Sequence, residues 1–153
     1  MKKALFFSTL FVGLIFLSCG DDDGDTTKPL IEVTSPASGS EYLVGETITV
    51  TADLSDNEAL GSCKVHIHYG EGHSHSNDLR AEISVEEEKE FVYQVVIDTI
   101  SHKKEAKITA NIIIPETIDG KPVKKGTYHL GVSCFDLVGN ENHHYTDIII
   151  AEE

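Results

Sequence analysis

The chain has 153 residues, with 12 Lys and Arg against 26 Asp and Glu, a formal charge of −14 at pH 7. So acidic a surface repels other polyanions, which excludes nucleic acid and anionic lipid headgroups as partners held by charge. The length suffices for one domain with a real core, and no long Pro- or Ser-rich linker interrupts residues 28–153.

Lys2 and Lys3 precede an apolar run over residues 4–17, and the segment closes Phe16-Leu17-Ser18-Cys19. A charged start, an apolar centre of this length and a small residue before the cut form an export signal. The run falls short of the roughly 20 apolar residues that cross a bilayer. Its ending resembles the lipobox of bacterial lipoproteins, with Phe16 where leucine is commoner. That resemblance implies that residues 1–18 are removed and that Cys19 becomes the lipidated N-terminus. An ordinary signal peptide with a chance cysteine is the other reading. Removal of residues 1–18 leaves 135, and loss of Lys2 and Lys3 takes the charge to about −16.

Residues 19–27 carry Gly20-Asp21-Asp22-Asp23-Gly24-Asp25-Thr26-Thr27, which has no apolar side chain and cannot offset its own ordering entropy. It reads as a solvated tether. An acidic run directly after the lipid-bearing cysteine resembles the surface-export signal of Bacteroidetes lipoproteins. This implies an outer-membrane anchor with display on the cell surface, or a periplasmic position if the run is only a spacer. The membrane is then a partner through the acyl chains on Cys19.

Residues 28–153 show no helical period. Apolar and polar residues alternate in short runs broken by Gly, Pro, Asn and Asp, the pattern of strands. A first strand spans 29–33 and stops at Ser35-Pro36. The second, 47–54, turns Ile48, Val50, Ala52 and Leu54 inward. The third, 63–69, turns Cys63, Val65, Ile67 and Tyr69 inward and Lys64, His66 and His68 outward. The fourth, 91–97, groups Phe91, Tyr93, Val95 and Ile97. The fifth groups Ala106, Ile108, Ala110, Ile112 and Ile114 before Pro115. The sixth turns Tyr128, Leu130, Val132 and Cys134 inward, and the seventh runs from about 143 to 150.

Seven strands at this spacing predict an all-β fold, an immunoglobulin-like sandwich of about seven antiparallel strands over residues 28–153. The ending Phe135-Asp136-Leu137-Val138-Gly139-Asn140 resembles that of bacterial immunoglobulin-like domains. The acidic tether, the Ser55-Asp56-Asn57-Glu58 turn and the paired histidines after it resemble a Bacteroidetes family of lipoproteins with this fold and no established activity. That resemblance implies a fold and a location, and it assigns no chemistry.

In the immunoglobulin topology the third and sixth strands are antiparallel neighbours. Placing Cys63 opposite Cys134 makes Val65 meet Val132, Ile67 meet Leu130 and Tyr69 meet Tyr128, so that every inward residue has an apolar or cysteine partner. Exported proteins with an even number of cysteines often bridge them, and opposed cysteines lie within reach of a disulfide. Two buried thiols would leave the same sequence.

The same register sets His68 opposite His129 and His66 opposite Gly131, so three imidazoles share the outward face. His73 and His75 follow in the polar loop after the third strand, within reach of that patch. Imidazole nitrogen is a ligand for zinc and copper(II), and three or four converging nitrogens make a site, with Glu71 or Asp78 in support. A merely solvated face would also carry polar residues. His143 and His144 lie in the last strand with no fixed register, and His102 reads as surface.

At the other end, Asp53, Asp56, Asn57 and Glu58 meet Asp136, Asn140 and Glu141 in two loops. This is an oxygen-rich set for calcium, although Asp and Asn are also ordinary turn residues. No phosphate loop, nucleophile elbow or catalytic Ser or Cys setting is present, so no enzyme is expected. Three classes remain: a binding module for a protein or polymer partner, a lipoprotein that captures zinc or copper, and a structural accessory of an envelope complex. In each the domain is expected to be monomeric.

Overall fold

The computed structural model describes residues 24–70 and 88–151. Within them the elements are all strands: β1 (Leu30–Ser35), β2 (Ser40–Tyr42), β3 (Thr47–Ser55), β4 (Leu60–Tyr69), β5 (Tyr93–Ile97), β6 (Glu105–Ile113), β7 (Thr117–Ile118), β8 (Lys121–Pro122), β9 (Gly126–Asp136) and β10 (Glu141–Ile150).

β1, β3 and β6 form one antiparallel sheet, and β2, β10, β9, β4 and β5 form a second. These strand neighbours and their chain order are those of an immunoglobulin-like sandwich. The alternation that identified the strands also supplies the core. Ile48, Val50, Ala52 and Leu54 of β3 and Ile108, Ala110 and Ile112 of β6 are buried. They face buried Val65 and Ile67 of β4, Leu130 and Val132 of β9, and Ile148 and Ile150 of β10. Burial of these two inner faces is the main driving force, since apolar area removed from water contributes about 25 cal/mol per Å².

The expected register of the third and sixth strands is the one found. β4 and β9 pair Cys63 with Cys134, Val65 with Val132, Ile67 with Leu130, His68 with His129 and Tyr69 with Tyr128. Toward the start of β4 the ladder slips between Leu60 and Ser62. Gly61 sits at that slip, where a Cβ would come within 2.4 Å of the Asp136 carbonyl oxygen.

Two features depart from the seven-strand expectation. β2 pairs in parallel with β10, so the N-terminal run leaves the first sheet and joins the edge of the second. β7 and β8 form a small hairpin around Asp119 and Gly120, both at positive φ, the pair of residues that a tight two-residue turn favours. Phe91 lies outside β5 yet is buried, its amide donating to the Tyr128 hydroxyl at 3.2 Å, and that hydroxyl donates to the Lys124 carbonyl at 2.7 Å.

Candidate functional site

The outward face of the second sheet carries the histidines. On adjacent strands lie His66 and His68 (β4), His129 and Gly131 (β9), and His143, Tyr145 and Asp147 (β10). β10 pairs Asp147 with His129 and Tyr145 with Gly131, which brings two further polar side chains to the patch. The sequence holds the signal for both. With Ile148 and Ile150 inward, the two-residue strand period turns 143, 145 and 147 outward.

The rings tile the sheet. His66 and His68 stack with centroids 5.8 Å apart and planes 4° from parallel, and His68 meets His129 edge-on at 5.5 Å. His66 also contacts Tyr145 at 5.7 Å. Gly131 makes the packing possible, because a Cβ there would stand 2.2 Å from the His66 ring and 2.8 Å from Tyr145. Burial, then the nearby Lys64 and His68 charges, lower the His66 pKa, so the ring is held neutral. Its Nδ1 is buried with no hydrogen-bond partner.

His129 is oriented from its other side. Its Nδ1 lies 2.6 Å from Asp147 Oδ1, and since a carboxylate only accepts, Nδ1 carries the proton, which in the neutral ring leaves the lone pair on Nε2. A carboxylate–imidazole pair of this kind fixes the tautomer of many metal-binding histidines. His68, His129, Tyr145 and Asp147 surround a shallow hollow of about 370 Å³. A larger hollow of about 690 Å³ lies elsewhere, along β1, β3 and β6, where Lys107 pairs with Asp53 at 3.3 Å.

The structure brings His66, His68 and His129 to one patch, but their nitrogens do not all lie within 4.8 Å of one another. His73 and His75, expected to join them, lie outside the described residues, as do Cys19, Glu71 and Asp78. His144 falls on the opposite parity of β10 from His143 and is exposed, and His102 lies exposed between β5 and β6.

Cys63 and Cys134 face each other across the ladder as expected, and both are buried. Burial, with the opposed Cys134, pushes Cys63 up to about 12. Burial, then the Asp56 and Asp136 carboxylates, pushes Cys134 up to about 11. Burial thus disfavours the thiolate at both positions.

The expected oxygen-rich pole is present with a different membership. Asp56 and Asp136 converge, and the third carboxylate is Asp25 from the N-terminal segment, which sequence reasoning had assigned to the tether. Asp53 is taken up by Lys107, and Glu58 is exposed with its amide donating to Asp56 Oδ1. These two are corrections to the expected set. Asn140 remains at the pole, donating to Asp136 Oδ2 at 2.6 Å and to the Asp25 carbonyl at 2.9 Å.

A family model described as "Domain of unknown function (DUF4625)" matches residues 17–151. None of the curated proteins matches the chain. Among solved structures, the chain is similar to the fibronectin(III)-like modules of Clostridium thermocellum CbhA, with 16% identity and a TM-score of 0.42, over 79% of this chain and 94% of that one. It is also similar to OgpA from Akkermansia muciniphila, with 12% identity and a TM-score of 0.47, over 80% of this chain and 29% of that one. A third similarity is to the sporulation control protein Spo0M of Bacillus subtilis, with 10% identity and a TM-score of 0.41, over 82% of this chain and 49% of that one.

Proposed function

The chain belongs to the DUF4625 family, and we propose that it is a non-catalytic binding module, lipid-anchored at the bacterial outer membrane and displayed on the cell surface, whose imidazole face takes a zinc or copper ion. The observation that carries the metal reading is the His68–His129 pair, with His129 held by Asp147 so that Nε2 is its free donor. His68 is exposed and its ring lies against that of His129, and His66 stands next to it as a third donor. Imidazole and carboxylate together suit zinc and copper(II). The anchor reading is supported by the Ser18-Cys19 ending of the apolar N-terminal run and by the acidic residues after it.

Titration of the untagged mature chain with Zn²⁺ should give saturable heat that His68→Ala and His129→Ala remove. Asp147→Ala should weaken binding by about tenfold or more, the usual effect of losing a carboxylate behind a ligating histidine. Binding should weaken on acidification, because a protonated ring has no lone pair to give. No heat, or heat unchanged in the His68→Ala, His129→Ala double variant, would remove the metal role. For the anchor, the full chain made in a bacterial host should incorporate a labelled fatty acid, and Cys19→Ser should lose the label. An unlabelled parent chain would remove the anchor.

One observation favours a second reading, an interaction or structural accessory of an envelope complex with no metal role. The rings lie packed against one another and against Gly131 rather than around a common point. A tiled imidazole and tyrosine surface of this kind also suits contact with a protein or polymer partner.

A further inference from the structure

We infer that Asp25, Asp56 and Asp136 form a calcium site that fastens the N-terminal segment to the pole of the sandwich. The three come from separate stretches of chain: the segment before β1, the turn between β3 and β4, and the end of β9. One oxygen from each lies within 4.8 Å of the other two. Oxygens that share one calcium ion at roughly 2.3–2.6 Å stand at most about 5 Å apart, so this spacing fits one ion.

Three carboxylates at such range repel unless a cation stands between them. Among the described residues no cationic side chain does so. Lys104 donates to the Asn57 carbonyl at 2.7 Å, and Lys107 is engaged by Asp53. Neutral donors orient the carboxylates and leave their charge in place. The Thr27 amide and the Asn57 side chain both donate to Asp25 Oδ1, at 2.9 and 3.1 Å. The amides of Val138, Gly139 and Asn140 all donate to Asp136 Oδ1.

Independent of the clustering is the state of Asp56 Oδ2. The amides of Glu58 and Ala59 both go to Oδ1, at 2.9 and 2.8 Å, while Oδ2 is buried and receives no donor at all. A buried carboxylate oxygen without a donor is among the costliest polar arrangements in a protein. A cation supplies what the backbone withholds. Asp136, only 5% exposed, gives the site a dry floor, and half-buried Asp25 leaves it open to solvent on one side. The donors are all oxygen, with carbonyls and water to complete the shell, which selects calcium over zinc or copper. The imidazole face lies toward the far end of β4 and β9, so the two sites are separate.

The test uses the mature chain, stripped with EDTA and titrated with calcium chloride alone. Calcium should give saturable heat and raise Tm, with magnesium weaker in both. Asp25→Asn should weaken binding by about tenfold or more through loss of one charged ligand. It should not lower the metal-free Tm, since it neutralises one of three crowded carboxylates and Asp25 precedes the first strand. Asp56→Asn should abolish binding, and His68→Ala with His129→Ala should leave the calcium titration as it was. Absence of heat and of a Tm shift at millimolar calcium overturns the inference. So does parent-like binding by both aspartate variants.

Discussion

Replacing Asp136 by alanine is expected to lower the free energy of unfolding by about 2–4 kcal/mol, read by urea denaturation with EDTA present so that no metal contributes. One oxygen of this carboxylate collects the amides of Val138, Gly139 and Asn140 at 2.6–2.9 Å, and the other collects Asn140 Nδ2 at 2.6 Å. Alanine leaves all four donors without their acceptor at the end of β9. Part of the loss is offset, because removing one of three crowded carboxylates relieves repulsion with Asp25 and Asp56. Asparagine keeps one acceptor oxygen where the three amides meet, so Asp136→Asn should cost much less than Asp136→Ala. Equal losses in the two variants would mean that the charge, and not the turn, is what the fold uses.

The second large effect belongs to the centre of the core. Leu130 is fully buried on β9, opposite Ile67 of β4 and Thr146 of β10. Leu130→Ala should cost about 2–5 kcal/mol, the transfer term plus the cavity left between two sheets that cannot close over it. Leu137, in the turn beyond β9, is 48% exposed, and Leu137→Ala should stay within about 0.5 kcal/mol of the parent. Comparable losses at the two leucines would place the core somewhere other than between these sheets.

Much of the architecture was legible because one ladder is strongly specified. β4 and β9 each present an unbroken inward row, and only one register gives every member of that row a matching partner. The pairing of Cys63 with Cys134 therefore carried His68 to His129 without any appeal to distance. β10 was harder to read. His143, His144 and Tyr145 blur its alternation, so the outward row that contains Tyr145 and Asp147 was not expected, and with it went the partner that orients His129. Tyr145 is 53% exposed on that row. β2 has three residues, too few for a period to show, and it is held by its neighbour β10 rather than by its own pattern.

The acidic pole was legible in kind and wrong in membership. Asp53 alternates outward on β3 next to Lys107 of β6, and a cross-strand ion pair removes it from the loop cluster. Asp25 was invisible for the opposite reason. A polar run with no hydrophobic residue carries no sign of where it docks, and its place is fixed by Asn57 and Asn140, which arrive from loops far along the chain.

The crossing of the N-terminal run from β1 to β2 decides how the domain responds to force. β2 runs parallel to β10, with Ser40, Glu41 and Tyr42 beside Ile148, Ile149 and Ile150. The Ala151 amide extends the pairing by donating to the Tyr42 carbonyl at 2.9 Å. Tension applied between the two chain ends pulls these parallel strands past each other lengthwise. Their hydrogen bonds must then rupture together rather than one at a time, so the contact is loaded in shear and acts as a mechanical clamp.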